Sequence, residues 1–477
     1  MNETTTIAAP RPPTDAGTTA RRLPEVPWAR CFVALAMVFG VFLAMATPPL
    51  QEHDAVGHLV RVDRMSRGTF VEPLDDRGRT SAPIDGCLSA FIDHHTARGT
   101  SDTSLDLRGN WTRVPCGSPS ETPIPTSSLT SPVPYVSNAV GYTAAKVAGG
   151  GIGVRVLAAR LASLAVYVVA VWGALRVAPK GRAVLFAVAI LPSSLALAAG
   201  VHADSTGIWA AVLSVALTLR VRERPSRAVL AGLAASLVVL ALSKNLYGPF
   251  VLLVLLVPAA AFPDLWARRR YVATTAAVVA VPLAAWSSYA ARNHYVVPFL
   301  GIDSREAQSY VIRHPLAFLH SAWNGLWDPF FRQVTLPGFV EVLGGMRPAR
   351  VGHVYGDLPP LALFGVAAVV LAVAVLADPG PTPQSEGRTR RQVAVVTGVI
   401  AAAGVVLIWL GMALTANPPG AGTLRWAQGR YFIPLVALLA FAAGRRVRHQ
   451  PALALTVPAG ALFLLLWVGS RVFAVFY

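Results

Sequence analysis

The stretch CFVALAMVFGVFLAMAT at residues 31–47 carries no charge over seventeen consecutive positions, and PPLQEHDAVGH at residues 48–58 follows it directly. An apolar run of this length is what a membrane-spanning helix requires. Pro48 and Pro49 end that helix, because proline lacks a backbone N–H and clashes with the preceding turn. We therefore predict a span from about Ala29 to Thr47, with polar chemistry just outside the membrane.

The rest of the 477-residue chain extends this pattern. Hydrophobic residues make up 54% and charged residues 14%, whereas a soluble domain carries about 25% charged residues. This composition excludes a soluble enzyme, a disordered chain and a coiled coil. Ten further apolar stretches predict an all-α polytopic membrane protein of about eleven spans. They lie at about 154–177, 183–199, 205–219, 228–243, 247–262, 271–290, 359–376, 393–415, 432–444 and 452–469.

Arginines in alternate loops orient these spans. Basic groups occur at residues 21–30, 176–182, 220–227, 268–270, 388–391 and 445–448, and basic loops stay on the cytoplasmic side. The N-terminus is then cytoplasmic, in a bacterial plasma membrane, and the formal charge of +17 needs no nucleic acid as partner. Residues 1–27 read as a disordered cytoplasmic tail. Residues 28–477 form the transmembrane domain, with large extracytoplasmic loops at 48–152 and 291–358.

The first large loop holds 11 of the 24 acidic residues and two of the three cysteines, Cys87 and Cys116. The outer side of a bacterial membrane is oxidising, so a disulfide between these two cysteines is expected. Any carboxylate chemistry would therefore take place on the outer face.

Asp54 and His58 form the sharpest polar feature, immediately after the first span. If a helix follows the prolines, positions i and i+4 lie on one face. A carboxylate beside an imidazole suits general-base catalysis or binding of a divalent cation such as Mg²⁺ or Mn²⁺. The alternative is an acidic residue placed at a helix N-terminus for its dipole.

Asp204, Lys244 and Arg430 lie at the predicted outer ends of other spans. Asp204 is a second candidate carboxylate or a helix N-cap. Lys244 could bind a lipid phosphate or extend along the span towards water. Arg430 opens a predicted helix, where the dipole disfavours a cation, so an anionic partner is indicated. The neighbouring aromatic residues also fit an interfacial belt.

These motifs resemble, in order, a bacterial family of multi-span membrane proteins of unknown function. The resemblance is carried by Pro48-Pro49 with Asp54 and His58, Leu191-Pro192, Asp204, Lys244 with Tyr247, His314-Pro315, and Gln428-Gly429-Arg430-Tyr431-Phe432-Ile433-Pro434. The family has an acidic residue directly after the first-loop aspartate. Here Ala55 occupies that position, and Glu52 lies two residues before the aspartate.

That family in turn is similar to the GT-C glycosyltransferases, which transfer a sugar from a polyprenyl-phosphate carrier under a large first loop. The resemblance implies that Asp54 is the base or a metal ligand and that His58 and Asp204 support it. Lys244, Arg430, Gln428 and Tyr431 would bind the substrate. The partners would be a polyprenyl-phosphate-linked sugar, membrane lipid and an envelope glycan or glycolipid acceptor.

Two other functions stay open from the sequence. A transporter or flippase of lipid-linked substrates would need ionisable groups near the middle of the membrane, and the predicted span centres hold almost no acidic residues. A non-catalytic envelope assembly protein would tolerate the loss of Asp54.

Overall fold

A computed structural model describes residues 26–476 except 53, 76–79, 101–107, 112, 124–126, 128, 298–300, 341–359, 378–386 and 443–450. The predicted N-terminal tail lies almost entirely outside the described residues. The described part is helical, with two small antiparallel strand pairs. This confirms an all-α architecture.

Six described helices are long and apolar enough to cross a membrane. They are α1 (Trp28–Ala46), α5 (Ile152–Val177), α8 (Asp204–Glu223), α10 (Leu265–Arg292), α14 (Gly387–Thr415) and α16 (Pro451–Phe476). Each coincides with a predicted span. Their side chains enter one large apolar core, together with those of the shorter helices between them.

The other five predicted spans are short or broken segments. Helices α9 (Arg227–Ser243) and α13 (Pro360–Ala377) are slightly shorter than the six, and Asn245–Leu256 is wound as a 3₁₀ helix. The stretch 183–199 is divided into α6 (Arg182–Ala189) and α7 (Pro192–Ala198), because Pro192 starts a new helix. The stretch 432–444 holds only α15 (Ile433–Val436) and a 3₁₀ turn at Ala437–Phe441.

The first large loop is itself folded. It contains α2 (Ala55–Ser66), α3 (Gly86–Thr100) and α4 (Val136–Val147), and strands β1 (Ser81–Ile84) and β2 (Ser120–Pro123) pair antiparallel. A separate apolar cluster lies beneath these elements, built around Leu59, Phe91 and Tyr142. Cys87 and Cys116 are joined by a disulfide close to the strand pair, the pairing expected from the sequence.

The second large loop is helical as well. It contains the short strands β3 (Val296–Val297) and β4 (Ile302–Asp303), then α11 (Ser304–Arg313) and α12 (Pro315–Trp327). Pro337–Phe339 follows as a 3₁₀ turn, and its Gly338 lies against the backbone of Gly429. This contact brings the second loop to the 3₁₀ turn Gly429–Tyr431, which carries Arg430.

Candidate active site at a four-charge cluster

Four charged residues from four distant segments meet at one point, and we call Asp54, Asp204, Lys244 and Arg430 the four-charge cluster. The Nη2 atom of Arg430 lies 3.0 Å from Oδ2 of Asp54, and its Nε lies 3.1 Å from Oδ2 of Asp204. The Nζ of Lys244 pairs with the other oxygen of Asp204. One guanidinium therefore joins the first loop to the head of helix α8.

The two carboxylates of the four-charge cluster differ in exposure. The side chain of Asp204 is 1% exposed and has a cation on each oxygen, whereas that of Asp54 is 53% exposed. A buried carboxylate held by two cations is costly to displace. An ion pair of an exposed carboxylate contributes less, so its exchange for another anion costs less. Asp204 is thus the fixed member and Asp54 the replaceable one.

Asp54 reaches Arg430 through an unusual backbone conformation and not through the helical spacing expected from the sequence. Helix α2 starts at Ala55, and Asp54 precedes it with φ of 54°. Its side chain does not cap the helix. The expectation that Asp54 and His58 share one helical face is therefore wrong, because Asp54 is not helical. Their side chains still come close, because a carboxylate oxygen of Asp54 and a ring nitrogen of His58 lie within 4.8 Å of each other.

Arg430 was expected to open a spanning helix, and the structure corrects this. It lies in the 3₁₀ turn Gly429–Tyr431, three residues before the start of the short helix α15. The turn can approach the second loop closely because residue 429 is glycine: a Cβ there would lie 2.3 Å from the carbonyl oxygen of Thr335. Arg430 itself is buried, with 4% of its side chain exposed.

Aromatic rings cover the cations of the cluster. The Nζ of Lys244 lies 4.1 Å from the ring centre of Tyr431, and the guanidinium carbon of Arg430 lies 5.3 Å from it. Tyr247 donates its hydroxyl to the carbonyl oxygen of Tyr431 at 3.2 Å, which holds the ring in place. Cation–π contacts of this kind favour a desolvated cation.

Two buried polar atoms, one of Arg430 and one of its near neighbour Gln428, have neither a hydrogen-bond partner nor an ion pair among the described residues. They are Nη1 of Arg430, a donor, and the side-chain oxygen of Gln428, an acceptor. A buried polar group without a partner is unfavourable. The pair therefore offers one donor and one acceptor to a ligand that enters the cluster.

Beside Asp54, two imidazoles lie in contact under the first loop. The ring centres of His58 and His202 are 4.1 Å apart, and Nδ1 of His58 lies 2.6 Å from the hydroxyl of Tyr135. Burial lowers the pKa of His58 to about 4, although Asp54 and Asp204 act to raise it. His58 is therefore neutral near pH 7. The backbone N of Asp204 lies 3.1 Å from Nδ1 of His202, and an imidazole that accepts a hydrogen bond at Nδ1 carries its proton on Nε2.

A family model of predicted membrane proteins, DUF2142, matches residues 37–439. The match covers more than half of the chain. The chain belongs to the DUF2142 family. This confirms the expected membership of a membrane family of unknown function. All four members of the charge cluster fall within the region matched by DUF2142.

Other comparisons add little to the DUF2142 match. No curated protein matches the chain. Among solved structures, the chain is similar to "ArnT from Cupriavidus metallidurans bound to Undecaprenyl phosphate", with 15% identity and a TM-score of 0.38. The similarity covers 87% of this chain and 59% of ArnT, so the chain spans less than two thirds of that structure.

The sequence predicted most of this DUF2142 site but missed three contributors. His202, Tyr135 and Gly429 were not assigned roles, although His202 lies two residues before Asp204. Tyr135 is separated from His58 by 77 positions, so only the fold shows their contact. The predicted residue Gln428 lies in the turn before Arg430, and its backbone carbonyl accepts from the N–H of Tyr431.

Within the part of the chain that the structure describes, Asp54, His58 and His202 form a group that could hold a cation. Each offers one ligand atom, and these atoms lie within 4.8 Å of one another. Two imidazoles and one carboxylate suit Mn²⁺ or another transition ion better than Mg²⁺, which prefers oxygen ligands. To bind the cation through Nε2, His202 would first have to move its proton to Nδ1 and lose its hydrogen bond with the backbone N–H of Asp204.

Proposed function

We propose that this chain is a membrane glycosyltransferase that moves a sugar from a polyprenyl-phosphate carrier to a hydroxyl of a cell-envelope glycan or glycolipid. The observation that carries the proposal is the shared guanidinium of Arg430, which pairs with a buried and an exposed carboxylate at once. In this arrangement Lys244 and Arg430 lie together, and only Asp204 stays bound to both when Asp54 is displaced.

The charges of the cluster suit an incoming phosphodiester. Lys244 and Arg430 together balance Asp54 and Asp204, so the resting site is neutral. A lipid phosphate that displaces Asp54 from Arg430 would find the second donor, Nη1, without a partner among the described residues. The displacement would also release the Asp54 carboxylate from its ion pair. Phosphate binding and activation of the base are then one event.

The transfer then needs one proton movement and one bond exchange. Asp54 accepts the proton of the acceptor hydroxyl, and the resulting oxygen attacks the anomeric carbon of the sugar. The bond between that carbon and the phosphate oxygen breaks, and its electron pair stays on the lipid phosphate. Lys244 and Arg430 stabilise the added negative charge, which is the kind of contribution that preorganised cations make in a buried site.

Other residues orient the reactants in this proposal. The unpartnered oxygen of Gln428 would accept a hydrogen bond from a sugar hydroxyl, and Tyr431 would keep the two cations in place. His58, neutral and bonded to Tyr135, would support Asp54 as a hydrogen-bond partner and not as a charge. Asp204 would act as the fixed counter-ion that positions Lys244 and Arg430, and not as a base.

A divalent cation, Mg²⁺ or Mn²⁺, stays a prediction. Asp54, His58 and His202 would hold it, and when bound it would supply further positive charge near the leaving phosphate. The mixed nitrogen and oxygen ligands favour Mn²⁺ of the two.

Membrane orientation also belongs to the proposal. The arginine-rich loops favour a cytoplasmic N-terminus in a bacterial plasma membrane, which puts Asp54 and its loop on the outer face. A nucleotide sugar is cytoplasmic and would not reach this side, whereas a lipid-linked sugar would.

Proteoliposomes that contain the full chain test the function. A panel of undecaprenyl-phosphate-linked sugars serves as donors, and envelope glycan serves as acceptor. Asp54→Asn should reduce transfer by about 10²–10⁴-fold, the usual contribution of a general base, while undecaprenyl phosphate still binds. Asp93→Asn is the matched control, because Asp93 is an exposed carboxylate of helix α3.

Normal transfer by Asp54→Asn would remove the assigned role of Asp54. If the wild-type chain moves the intact lipid-linked sugar between leaflets without breaking the sugar–phosphate bond, the transporter alternative is correct. If no donor is bound or cleaved, the chain is a non-catalytic assembly protein.

A further inference from the structure

An arginine lies inside helix α5, where a membrane protein rarely places a charge. Arg160 is eight residues past the start of that helix, about 12 Å along its axis, and it is 1% exposed. An ionisable residue inside a span is costly and is commonly retained for a function. The mechanism above does not use Arg160.

The guanidinium of Arg160 holds the end of the first span. Its Nη1 donates to the carbonyl oxygens of Ala44 at 3.0 Å and Thr47 at 2.7 Å, and its Nη2 lies 3.5 Å from that of Pro48. Helix α1 ends at Ala46, so the carbonyl group of Ala44 is one that a helix end leaves unpaired, and those of Thr47 and Pro48 follow the helix directly. Arg160 therefore caps α1 from a neighbouring helix. The ring of Trp111 covers the guanidinium at 5.3 Å.

The same guanidinium also fixes Glu52. Nη2 of Arg160 lies 2.6 Å from Oε1 of Glu52, whose side chain is 10% exposed. Glu52 also packs against Gly200, where a Cβ would lie 3.2 Å from Oε1. Gly200 precedes the segment that carries His202 and Asp204. Glu52 is thus not a second carboxylate of the active site; it joins the turn before Asp54 to the loop before Asp204.

The turn between Pro48 and Asp54 needs such support. Leu50 has φ of 66° and Asp54 has φ of 54°, and non-glycine residues adopt this left-handed region only when their surroundings impose it. Contacts at both ends of the turn are therefore required to keep the Asp54 carboxylate 3.0 Å from Arg430.

We propose that Arg160 is a positioning residue: through the end of α1 and through Glu52 it holds residues 47–52 in the conformation that delivers Asp54 to Arg430. The inference rests on the proposed function, because its consequence is expressed at Asp54. Arg160 does not touch the substrate; it acts through the backbone of the turn.

Transfer kinetics test this role with Arg160→Gln, Arg160→Lys and Glu52→Gln in proteoliposomes. For Arg160→Gln we expect kcat to fall about 10–100-fold, since small displacements of a reacting group cost up to about that much. KM for the lipid-linked sugar should stay within about threefold, because Lys244 and Arg430 are untouched. Arg160→Lys should recover part of kcat. If Arg160→Gln does not fold, kinetics of Arg160→Lys and Glu52→Gln test the role instead.

Arg155→Gln is the matched control on the same helix. The Nε of Arg155 donates to the carbonyl oxygen of Gly150 and not to residues 47–52. It should leave kcat and KM unchanged. An equal loss in kcat for Arg155→Gln and Arg160→Gln, or a rise in KM that accounts for the whole effect, would overturn the proposal.

A double-mutant comparison separates positioning from general loss of structure. In the Asp54→Asn background, Arg160→Gln should cause little further loss of transfer, because the group that it positions is already removed. A loss of the same size as in the wild-type background would mean that Arg160 acts elsewhere, and the inference would be wrong.

A measurement without activity distinguishes failure of this inference from failure of the proposed function. A nitroxide is attached to Asp54→Cys in a chain that also carries Cys31→Ser, and the Cys87–Cys116 disulfide is kept. The spin label should be immobilised when residue 160 is arginine and mobile in Arg160→Gln. Equal mobility would overturn the positioning role. Immobilisation by Arg160 in a chain that transfers no sugar would retain that role and remove the glycosyltransferase proposal.

Discussion

Two regions of this molecule hold dense groups of charged residues, and the exposure of their carboxylates differs. In the first-loop ion network, Arg61 and Arg64 pair with Glu72 at 2.9 and 3.3 Å, and Arg67 pairs with Asp63 and Asp85. In the four-charge cluster, Asp54 and Asp204 share Arg430, and Lys244 completes the set.

The two regions differ in how far their members are separated along the chain. Ion pairs in the first-loop network join residues at most 18 positions apart, whereas Asp54 and Arg430 are 376 positions apart. The carboxylates of Glu72 and Asp63 are fully buried, but Asp54 is half exposed. Charge density alone therefore does not identify a site. Our proposal rests instead on the convergence of distant segments on an exposed carboxylate.

Glu72→Gln should produce the largest effect, and it should be on stability. The substitution leaves the fully buried Arg61 without its counter-ion, and loss of one partner of a buried pair costs about 3–5 kcal/mol. Unfolding of the purified chain in detergent measures it, with Asp93→Asn as the exposed control. Binding of undecaprenyl phosphate to the remaining folded protein should change less than twofold. A large loss of binding would mean that the two regions are not separate.

Arg430→Gln should produce the opposite result, a loss of sugar transfer and of undecaprenyl phosphate binding. It removes the guanidinium that both carboxylates share, so transfer should fall by about 10²–10³-fold, as when one stabilising donor is lost. Affinity for undecaprenyl phosphate should fall as well. The matched control is Arg425→Gln, five residues away in the same segment, whose guanidinium pairs with Asp328 at 3.1 Å and is largely exposed. Equal effects of the two variants would contradict the role given to Arg430.

The sequence identified the residues of the four-charge cluster more reliably than their local structure. Asp54 was found from its place after Pro48-Pro49, but the helical spacing offered as the reason was wrong, because the helix starts one residue later. No local pattern predicts φ of 54° at an aspartate. We infer that it follows from the contacts that Thr47, Pro48 and Glu52 make with Arg160 and Gly200, which are more than 100 positions away.

Spanning helices were predicted well where an apolar run is uninterrupted, as in α1 and α14. The stretch 183–199 contains Leu191-Pro192, and the proline signal for a break was present but was outweighed by hydropathy. Arg160 was missed for a related reason. Arginines were used to orient loops, whereas an arginine inside a span is itself a sign of a tertiary contact.

A change in pH should separate the neutral histidine beside the cluster from the permanent ion pairs. The pKa of His58 falls from 6.5 in the unfolded chain to about 4 in the fold. Between these values the unfolded chain binds more protons than the folded chain. The contribution of neutral His58 to stability is therefore fully present above about pH 6.5 and is lost as the pH falls towards 4. The loss reaches up to about 3 kcal/mol.

Melting temperatures at pH 7.5, 5.5 and 4.5 measure this loss in the wild type and in His58→Gln. The variant should show a smaller decrease on acidification. His320→Gln, which replaces an exposed histidine of α12, should behave as the wild type. If acidification destabilises His58→Gln as much as the wild type, the pH dependence has another origin.

The smallest effect is expected at Tyr431, which tests whether the aromatic cover matters apart from the charges. Tyr431→Leu removes the ring that lies 4.1 Å from Nζ of Lys244, and a desolvated cation–π contact is worth about 1–2 kcal/mol. Affinity for undecaprenyl phosphate should therefore fall about 5–30-fold. Tyr431→Phe keeps the ring and loses only a 3.4 Å contact of the hydroxyl with Arg430, so its affinity should stay within about threefold. If the two variants weaken binding equally, the hydroxyl and not the ring face supports the cations. The first-loop network has no aromatic cover among its described ion pairs, so a loss specific to Tyr431→Leu would mark the ring as a feature of the site that exchanges its partner.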